Sequence, residues 1–286
     1  MIRIGRWRRI VRTTCVGRKS PRGAGARTEA DYWDRVLDDF RPAPVVDPWR
    51  AYMRRVYGRL IADWLSPPAA GRALKTDLFE EAITPDHVLG ELGPRSVGLD
   101  TSPAIAHAAR ARFGTAYHYV VADLRQLPFR HGCIPRILAG SSLDHFPESR
   151  DIDVCLAELA RILTPGGVLV VTFDNPANPA VRLRNALPFE WLYRLGIVPY
   201  YVGATYGFAD AARALAAVGL RVTAMRAVAH APRAPAMWLS ALTRRVPALL
   251  RLAARVESLI DRCESLERLP TRDRTAYYVA LRAVKD

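Results

Sequence analysis

The 286-residue chain is short of the features that would mark a secreted, metal-binding or membrane-spanning protein. Its four cysteines, Cys15, Cys133, Cys155 and Cys263, form neither a CxxC pair nor a cysteine/histidine spacing. That excludes a disulfide framework and a zinc site and makes a reducing compartment, read as the cytoplasm, the default. No run of about 18 uncharged apolar residues is present, which excludes an α-helical membrane span. Acidic residues are missing altogether from residues 1–27, which hold nine basic side chains and so account for nine of the fourteen excess positive charges. The remaining chain carries only +5. Apolar residues in the first half of this tail are too sparse for a secretory signal. Residues 1–28 therefore read as a basic, flexible tail, with anionic-surface contact or an organelle address as lesser alternatives.

What is present is a globular chain, 50% apolar and 24% charged. From Glu29, apolar side chains recur at helical spacing (Tyr32, Trp33, Val36, Leu37, Phe40), and again from Trp49 to Leu65. Two amphipathic helices result, separated by Pro42, Pro44 and Pro48, and they form an N-terminal helical cap over 29–68. Beyond Pro67 and Pro68, short apolar runs alternate with helical patterns. The runs are Ala73-Leu74, Ser96 to Asp100, His118 to Asp123, Arg136 to Gly140 and Val168 to Asp174. The helical patterns lie near 78–92, 103–113 and 151–163. This alternation predicts an α/β domain, residues 69–286, built on a mostly parallel sheet with helices on both faces. Insertions near 180–206 and 235–270 interrupt it.

In such sheets ligands lie beyond the carboxyl ends of the strands, so the residues ending each run are the candidates for chemistry. VGLD ends in Asp100, followed by Thr101, a capping Ser102 and the helix-opening Pro103. A strand-end carboxylate can accept both hydroxyls of a ribose, or it can be a solvated loop aspartate. YVVADL ends in Asp123 and Leu124, an acceptor and an apolar wall suited to an adenine edge. ILAGSSLDHF runs from the strand residues Gly140 and Ser141 into a polar turn with Asp144 and His145. LAELARILTPGGVLVVTFDNP follows.

The order VGLD, VVADLRQLPF, SSLDHF and ELARILTPGGVLVVTFDNP resembles the class I S-adenosylmethionine-dependent methyltransferases over roughly residues 70–230. The last strand is read near 276–284. The resemblance implies a Rossmann-like, seven-stranded sheet whose last strand runs antiparallel. It implies S-adenosylmethionine as cofactor and no metal. Asp100 and Thr101 then hold the ribose, Asp123 and the Leu124 backbone read adenine, and Gly140, Ser141 and the residues after them face the methionine part and the acceptor.

One departure stands out. The family carries a glycine-rich loop after the first strand, where the backbone approaches the cofactor without a Cβ in the way. Here the stretch reads ALKTDLFEEA, with no glycine between Gly71 and Gly90. Asp77 and Glu80 fit a capping box, and Asp77 is the candidate for the cofactor's cationic amino acid end. The alternative is a site that has lost its cofactor.

His145, aided by Asp144, is the candidate general base, or it packs against the adjoining helix. Asn175 after the fifth strand, and Tyr200 and Tyr206 in the aromatic 180–206 insertion, are candidates to bind a small-molecule acceptor. A heptad-like seam (Leu239, Leu242, Val246, Leu249, Ala253, Val256, Ile260, Cys263) predicts a helix over 246–269 that packs on the domain or pairs two subunits. The function expected is methyl transfer to an oxygen, nitrogen or carbon of a small molecule. A non-catalytic binding or partner protein is the rival class. An RNA methyltransferase is disfavoured, because Asn-Pro-Pro-Tyr is absent and Asp174-Asn175-Pro176-Ala177 only echoes it.

Overall fold

The computed structural model describes residues 28–40, 48–65, 72–84, 87–195, 197–233, 235–236 and 250–286. The basic tail at 1–27 and the seam positions Leu239, Leu242, Val246 and Leu249 lie outside the described residues.

Seven strands make one sheet: β1 (Ala73–Lys75), β2 (Val97–Asp100), β3 (His118–Val121), β4 (Ile134–Gly140), β5 (Leu163–Asp174), β6 (Leu220–Val228) and β7 (Tyr278–Lys285). Their order is β3-β2-β1-β4-β5-β7-β6. β1 to β5 pair in parallel, and β7 runs antiparallel to both β5 and β6. The central strands are buried on both faces, which is why β5 reads as an unbroken apolar run: Leu169, Val170, Val171 and Phe173 are fully buried. β5 begins earlier than its pattern predicts, because Leu163, immediately after the preceding helix, already pairs with Ile134.

The helices are α1 (Glu29–Phe40), α2 (Pro48–Trp64), α3 (Phe79–Ile83), α4 (Pro103–Phe113), α5 (Ser149–Ile162), α6 (Pro179–Ala186), α7 (Phe189–Arg194), α8 (Phe208–Ala217), α9 (Leu250–Arg262) and α10 (Arg272–Thr275). α4 starts as its sequence dictates, with Ser102 Oγ accepting from Ile105 N at 3.0 Å and Pro103 in the first turn. The helix expected over 78–92 is instead α3 and a 3-10 turn at Leu89–Leu92. The break is at Thr84, which is extended (φ −139°, ψ 152°) as a residue preceding a proline should be.

α1 and α2 share one hydrophobic core with the sheet. Tyr32, Trp33, Tyr52 and Leu60 pack in the same cluster as Leu78, Phe79, Ile105 and Tyr278. The opposite face is covered by α5 and α8, with Ile152, Leu156 and Leu159 toward β5 and Ala211 and Leu215 toward β6 and β7. The long C-terminal helix expected to Leu269 ends at Arg262 and tightens into a 3-10 turn over Cys263–Arg268. Ile260 and Cys263 of the seam pack into the chain's own core, while Arg55–Asp261 and Tyr52–Glu264 hydrogen bonds tie this segment to α2. Those two seam positions thus lend no support to subunit pairing.

Candidate functional site

A cavity lies beyond the carboxyl ends of β1, β2, β3 and β4, roofed by the N-terminal helices. It is lined by Asp77, Asp100, Thr101, Asp123, Leu124, Gly140, Ser141, His145 and Tyr200, together with Trp33, Trp49, Arg50 and Tyr57 from α1 and α2. Its volume is about 170 Å³, below the roughly 300 Å³ at which ligand pockets usually begin. A nucleoside-sized guest therefore needs the roof to move outward.

The acidic end is built around Asp100. Its Oδ1 accepts from Ser102 N at 2.9 Å and its Oδ2 from Leu78 N at 3.1 Å, so one carboxyl fastens the β2 end to the loop after β1. Burial, and then the neighbouring Asp77 carboxylate, push the Asp100 carboxyl up to about 7, against the pull of the two backbone N–H groups and Lys75. Each oxygen keeps a second acceptor position. Asp77 uses Oδ1 to accept from Phe79 N at 2.6 Å. This is a local turn two residues long, not the capping box, because Glu80 is drawn away to Arg50.

The missing glycine has a counterpart on the neighbouring strand. A Cβ at Gly98 would collide with the Leu78 side chain, which fills the space over β2. The loop after β1 can therefore lie close to Asp100 although every residue in it bears a side chain. Gly98→Ala is expected to cost about 1–3 kcal/mol by overpacking, measured as a drop in denaturant midpoint. An unchanged midpoint would show that Leu78 is not wedged there.

Beneath the loop, Lys75 Nζ donates to Glu81 Oε2 at 2.9 Å and to the Asp77 carbonyl. Both members of this ion pair are buried. Burial raises Glu81, and Lys75 opposes that rise. Asp123 is clamped by its neighbour: Arg125 Nη2 donates to Oδ2 at 2.6 Å, and Arg125 N and Nε both reach Oδ1. Burial disfavours ionised Asp123, but the hydrogen bonds and charge of Arg125 outweigh it and hold the carboxyl below its ordinary value. Arg125 also reaches Glu29 of α1 at 3.0 Å, tying the roof to the β3 end.

At the β4 end, a Cβ on Gly140 would stand 3.0 Å from the Tyr57 ring, so the roof rests on this glycine. Ser141 is held at φ 50°, a strained left-handed conformation, with its N–H donated to Thr172 Oγ1 at 2.9 Å. His145 follows in the turn. Its ring stands edge-on to Trp33 at 4.7 Å and to Tyr200 at 5.5 Å, and Nδ1 lies 3.0 Å from the Tyr201 carbonyl. A carbonyl only accepts, so Nδ1 carries the proton and Nε2 keeps its lone pair. Burial lowers the His145 pKa, the Tyr201 hydrogen bond working the other way; the ring is a neutral acceptor at neutral pH.

Three expected site residues are elsewhere. Asp144 is buried beside His145 but turned away from the cavity, accepting from Asp174 N at 2.8 Å and Thr205 Oγ1 at 3.4 Å. Burial, and then the adjacent Asp174, raise its carboxyl well above the usual range. Asn175 spends its side-chain N–H groups on the Asp273 and Ala276 carbonyls and its Oδ1 on Ala177 N, so it joins the β5 end to the segment entering β7. Tyr206 bonds Asp153 Oδ1 at 2.7 Å and the Ser149 carbonyl on α5. None of the three lines the cavity. Among the described residues no cluster suits a metal ion, and no helix is long and apolar enough to cross a membrane.

The sequence model of the methyltransferase domain matches residues 85–171, which run from just before β2 into β5. The β3-β2-β1-β4-β5-β7-β6 order with an antiparallel β7 completes the pattern. Residues 85–171 are thus similar to the methyltransferase domain, and the sheet has the Rossmann-like methyltransferase fold. An uncharacterized chloroplastic methyltransferase of Arabidopsis thaliana is 36% identical over 69 residues, a match that spans 23% of this chain and 19% of that relative's length. Among solved structures, an S-adenosylmethionine-dependent methyltransferase from Thermotoga maritima superposes with a TM-score of 0.56 at 12% identity, covering 90% of this chain and 99% of its own. The cyclase SpnF superposes with a TM-score of 0.51 at 16% identity over 81% and 80%. Both likenesses speak to the fold alone.

The cofactor of the matched methyltransferase domain is S-adenosylmethionine, and the residues present fit it. Its two cationic groups suit a cavity with a buried carboxyl, Asp100, beside a second acid, Asp77. Apolar Leu124 and Phe79 offer ring-sized walls next to them. Sequence reasoning missed the roof's share of this cavity. Trp33, Trp49 and Tyr57 lie in amphipathic stripes that read the same whether they face core or ligand.

Proposed function

We propose that the protein transfers the methyl group of S-adenosylmethionine to a small-molecule acceptor bound under the α1/α2 roof. The observation that carries this reading is that one cavity holds both the buried Asp100 carboxyl and a neutral His145 with Nε2 available. When bound, the cofactor supplies a methyl group already activated on a sulfonium, so the protein's work is positioning. Asp100 and Thr101 take the ribose hydroxyls, and Asp77 takes the cationic amino acid end. Leu124 walls the adenine, whose amino group shares Asp123 with Arg125. Gly140 and Ser141 face the methionine part. His145 Nε2 accepts the proton that the acceptor gives up, and Trp33 and Tyr200 exclude water from the point of transfer. The free Cys133 and Cys155 suit a reducing, cytoplasmic setting.

Leu78 filling the first loop favours the second reading, a partner protein that keeps the fold without transferring methyl groups. The two separate in one experiment: incubate the protein with S-adenosylmethionine labelled in the methyl carbon and a small-molecule cell extract, and follow label into new species. Label transfer that disappears with Asp100→Ala supports the enzyme. No transfer by a folded protein across extracts from several sources would favour the partner.

A further inference from the structure

The cavity is electrically divided. Asp77, Asp100 and Asp123 lie at the ends of β1, β2 and β3. On the other side stand Tyr278 at the start of β7 and Arg233, which follows β6, while Trp49, Arg50 and Tyr200 line the cavity as well. The strand order puts β7 and β6 on the far side of β1 from β2 and β3.

Every other lysine or arginine lining this cavity faces a carboxylate: Arg50 faces Glu80, Arg54 faces Glu91, and Lys75 faces Glu81. Arg233 is the exception among the described residues. Its guanidinium carbon stands 5.7 Å from the centroid of Trp49 and 5.9 Å from that of Tyr277. The Tyr277 phenol beside it already accepts from Arg184 at 2.9 Å. A half-buried guanidinium stacked between two rings, with no anion beside it among the described residues, is a costly arrangement unless a guest supplies the charge.

Two further donors look into the same space. Tyr200 and Tyr278 both line the cavity, and among the described residues neither phenol makes a hydrogen bond. Burial raises both, and the Asp174 carboxylate, itself paired with Arg184, adds to the rise at each, so both stay protonated against the opposing charge of Arg233. A guanidinium and two phenol O–H groups without acceptors match an oxyanion, which offers several strong acceptor positions and takes charge-assisted hydrogen bonds.

We propose that the acceptor carries an oxyanionic group, a carboxylate or a phosphate monoester, held by Arg233 with Tyr200 and Tyr278 while an apolar body rests against Trp33, Phe79 and Tyr200. This rests on the proposed methyl transfer, in which the acceptor lies beside His145 at the β4 end of the cavity. The two halves then select opposite charges: the acidic half takes the sulfonium cofactor and the basic half takes the acceptor's anion. The charge that anchors the acceptor is thus kept apart from the charge that anchors the donor, and neither ligand competes for the other's place.

The test is calorimetric titration of the full-length protein with phenyl phosphate, benzoate and neutral phenol, with S-adenosylhomocysteine titrated separately. At least one anion is expected to bind one-to-one, at least about tenfold tighter than phenol, the least expected of a charge-assisted contact. Arg233→Gln is expected to erase that preference and leave S-adenosylhomocysteine affinity within about twofold. Should Arg233→Gln melt early through loss of its stacking, Tyr278→Phe removes a single hydroxyl and is expected to weaken the preferred anion several-fold. Whichever anion binds tighter assigns the group as carboxylate or phosphate. Anions bound no better than phenol, or bound equally by the folded Arg233 or Tyr278 variant, overturn the proposal. Anion binding without S-adenosylhomocysteine binding would instead count against the methyl-transfer reading and leave the anion site standing.

Discussion

Replacing His145 by glutamine lowers kcat by about 10²- to 10⁴-fold, the usual contribution of a positioned general base, and leaves affinity for S-adenosylhomocysteine within about twofold. The ring is fixed by the Tyr201 carbonyl on Nδ1 and by Trp33 and Tyr200 on its edges. Nε2 is thereby committed as an acceptor before the substrate arrives. Because burial lowers the His145 pKa, the base is ready at neutral pH. The acid limb of kcat, measured at saturating cofactor, falls only as pH drops through a value below the ordinary histidine range. Glutamine keeps a similar volume against Trp33 but cannot take up a proton, so the variant loses both the rate and the acid limb. A folded His145→Gln enzyme with wild-type kcat would leave His145 as a packing residue.

Asp100→Ala weakens S-adenosylhomocysteine binding by about 1.5–3 kcal/mol, the range for hydrogen bonds to a charged group. The wild-type affinity also depends on pH in a direction fixed by the site. In the free protein, burial and Asp77 push the Asp100 carboxyl up to about 7. Ribose hydroxyls donate to the ionised form, so a bound nucleoside favours loss of the proton. Affinity is then full above about pH 8 and falls as pH drops through 7, by about tenfold between pH 8 and pH 6. Of the charged groups facing the carboxyl, Asp77 raises its pKa and Lys75 lowers it, and neither has an ordinary pKa within this window. Asp100→Asn, which cannot ionise, removes the slope. Calorimetry at pH 6, 7 and 8 reads both effects; a flat wild-type profile would take Asp100 out of the ribose site.

Much of this site was legible because strand ends are legible. Asp100, Thr101, Asp123, Leu124, Gly140, Ser141 and His145 terminate or follow apolar runs, and the parallel order gathers their ends in one cavity. Direction around a turn was not legible. Asp144 and His145 are adjacent in sequence, yet the 3-10 turn at Leu143–His145 sends one carboxyl down to the Asp174 amide and the other side chain up under Trp33. Asn175 and Tyr206 have chemistry fit for a ligand, but both hydrogen-bond to other parts of the chain, which a sequence does not display. The absent glycine loop left two readings open, a site using Asp77 or a lost one, and did not show that Gly98 on the neighbouring strand makes the room for Leu78. That compensation crosses two strands and has no local signature. Arg233 and Tyr278 escaped for the same reason, since only the fold brings the residues after β6 and at the start of β7 to one wall.

The central claim is that this loop, with side chains where glycines are usual, still closes a cofactor site. Titrating the wild-type protein calorimetrically with S-adenosylmethionine and S-adenosylhomocysteine at pH 8 tests it most directly. The expected result is one-to-one binding of both ligands at about micromolar Kd, near 8 kcal/mol. No heat of binding from either ligand, in a protein that melts cooperatively, would contradict it.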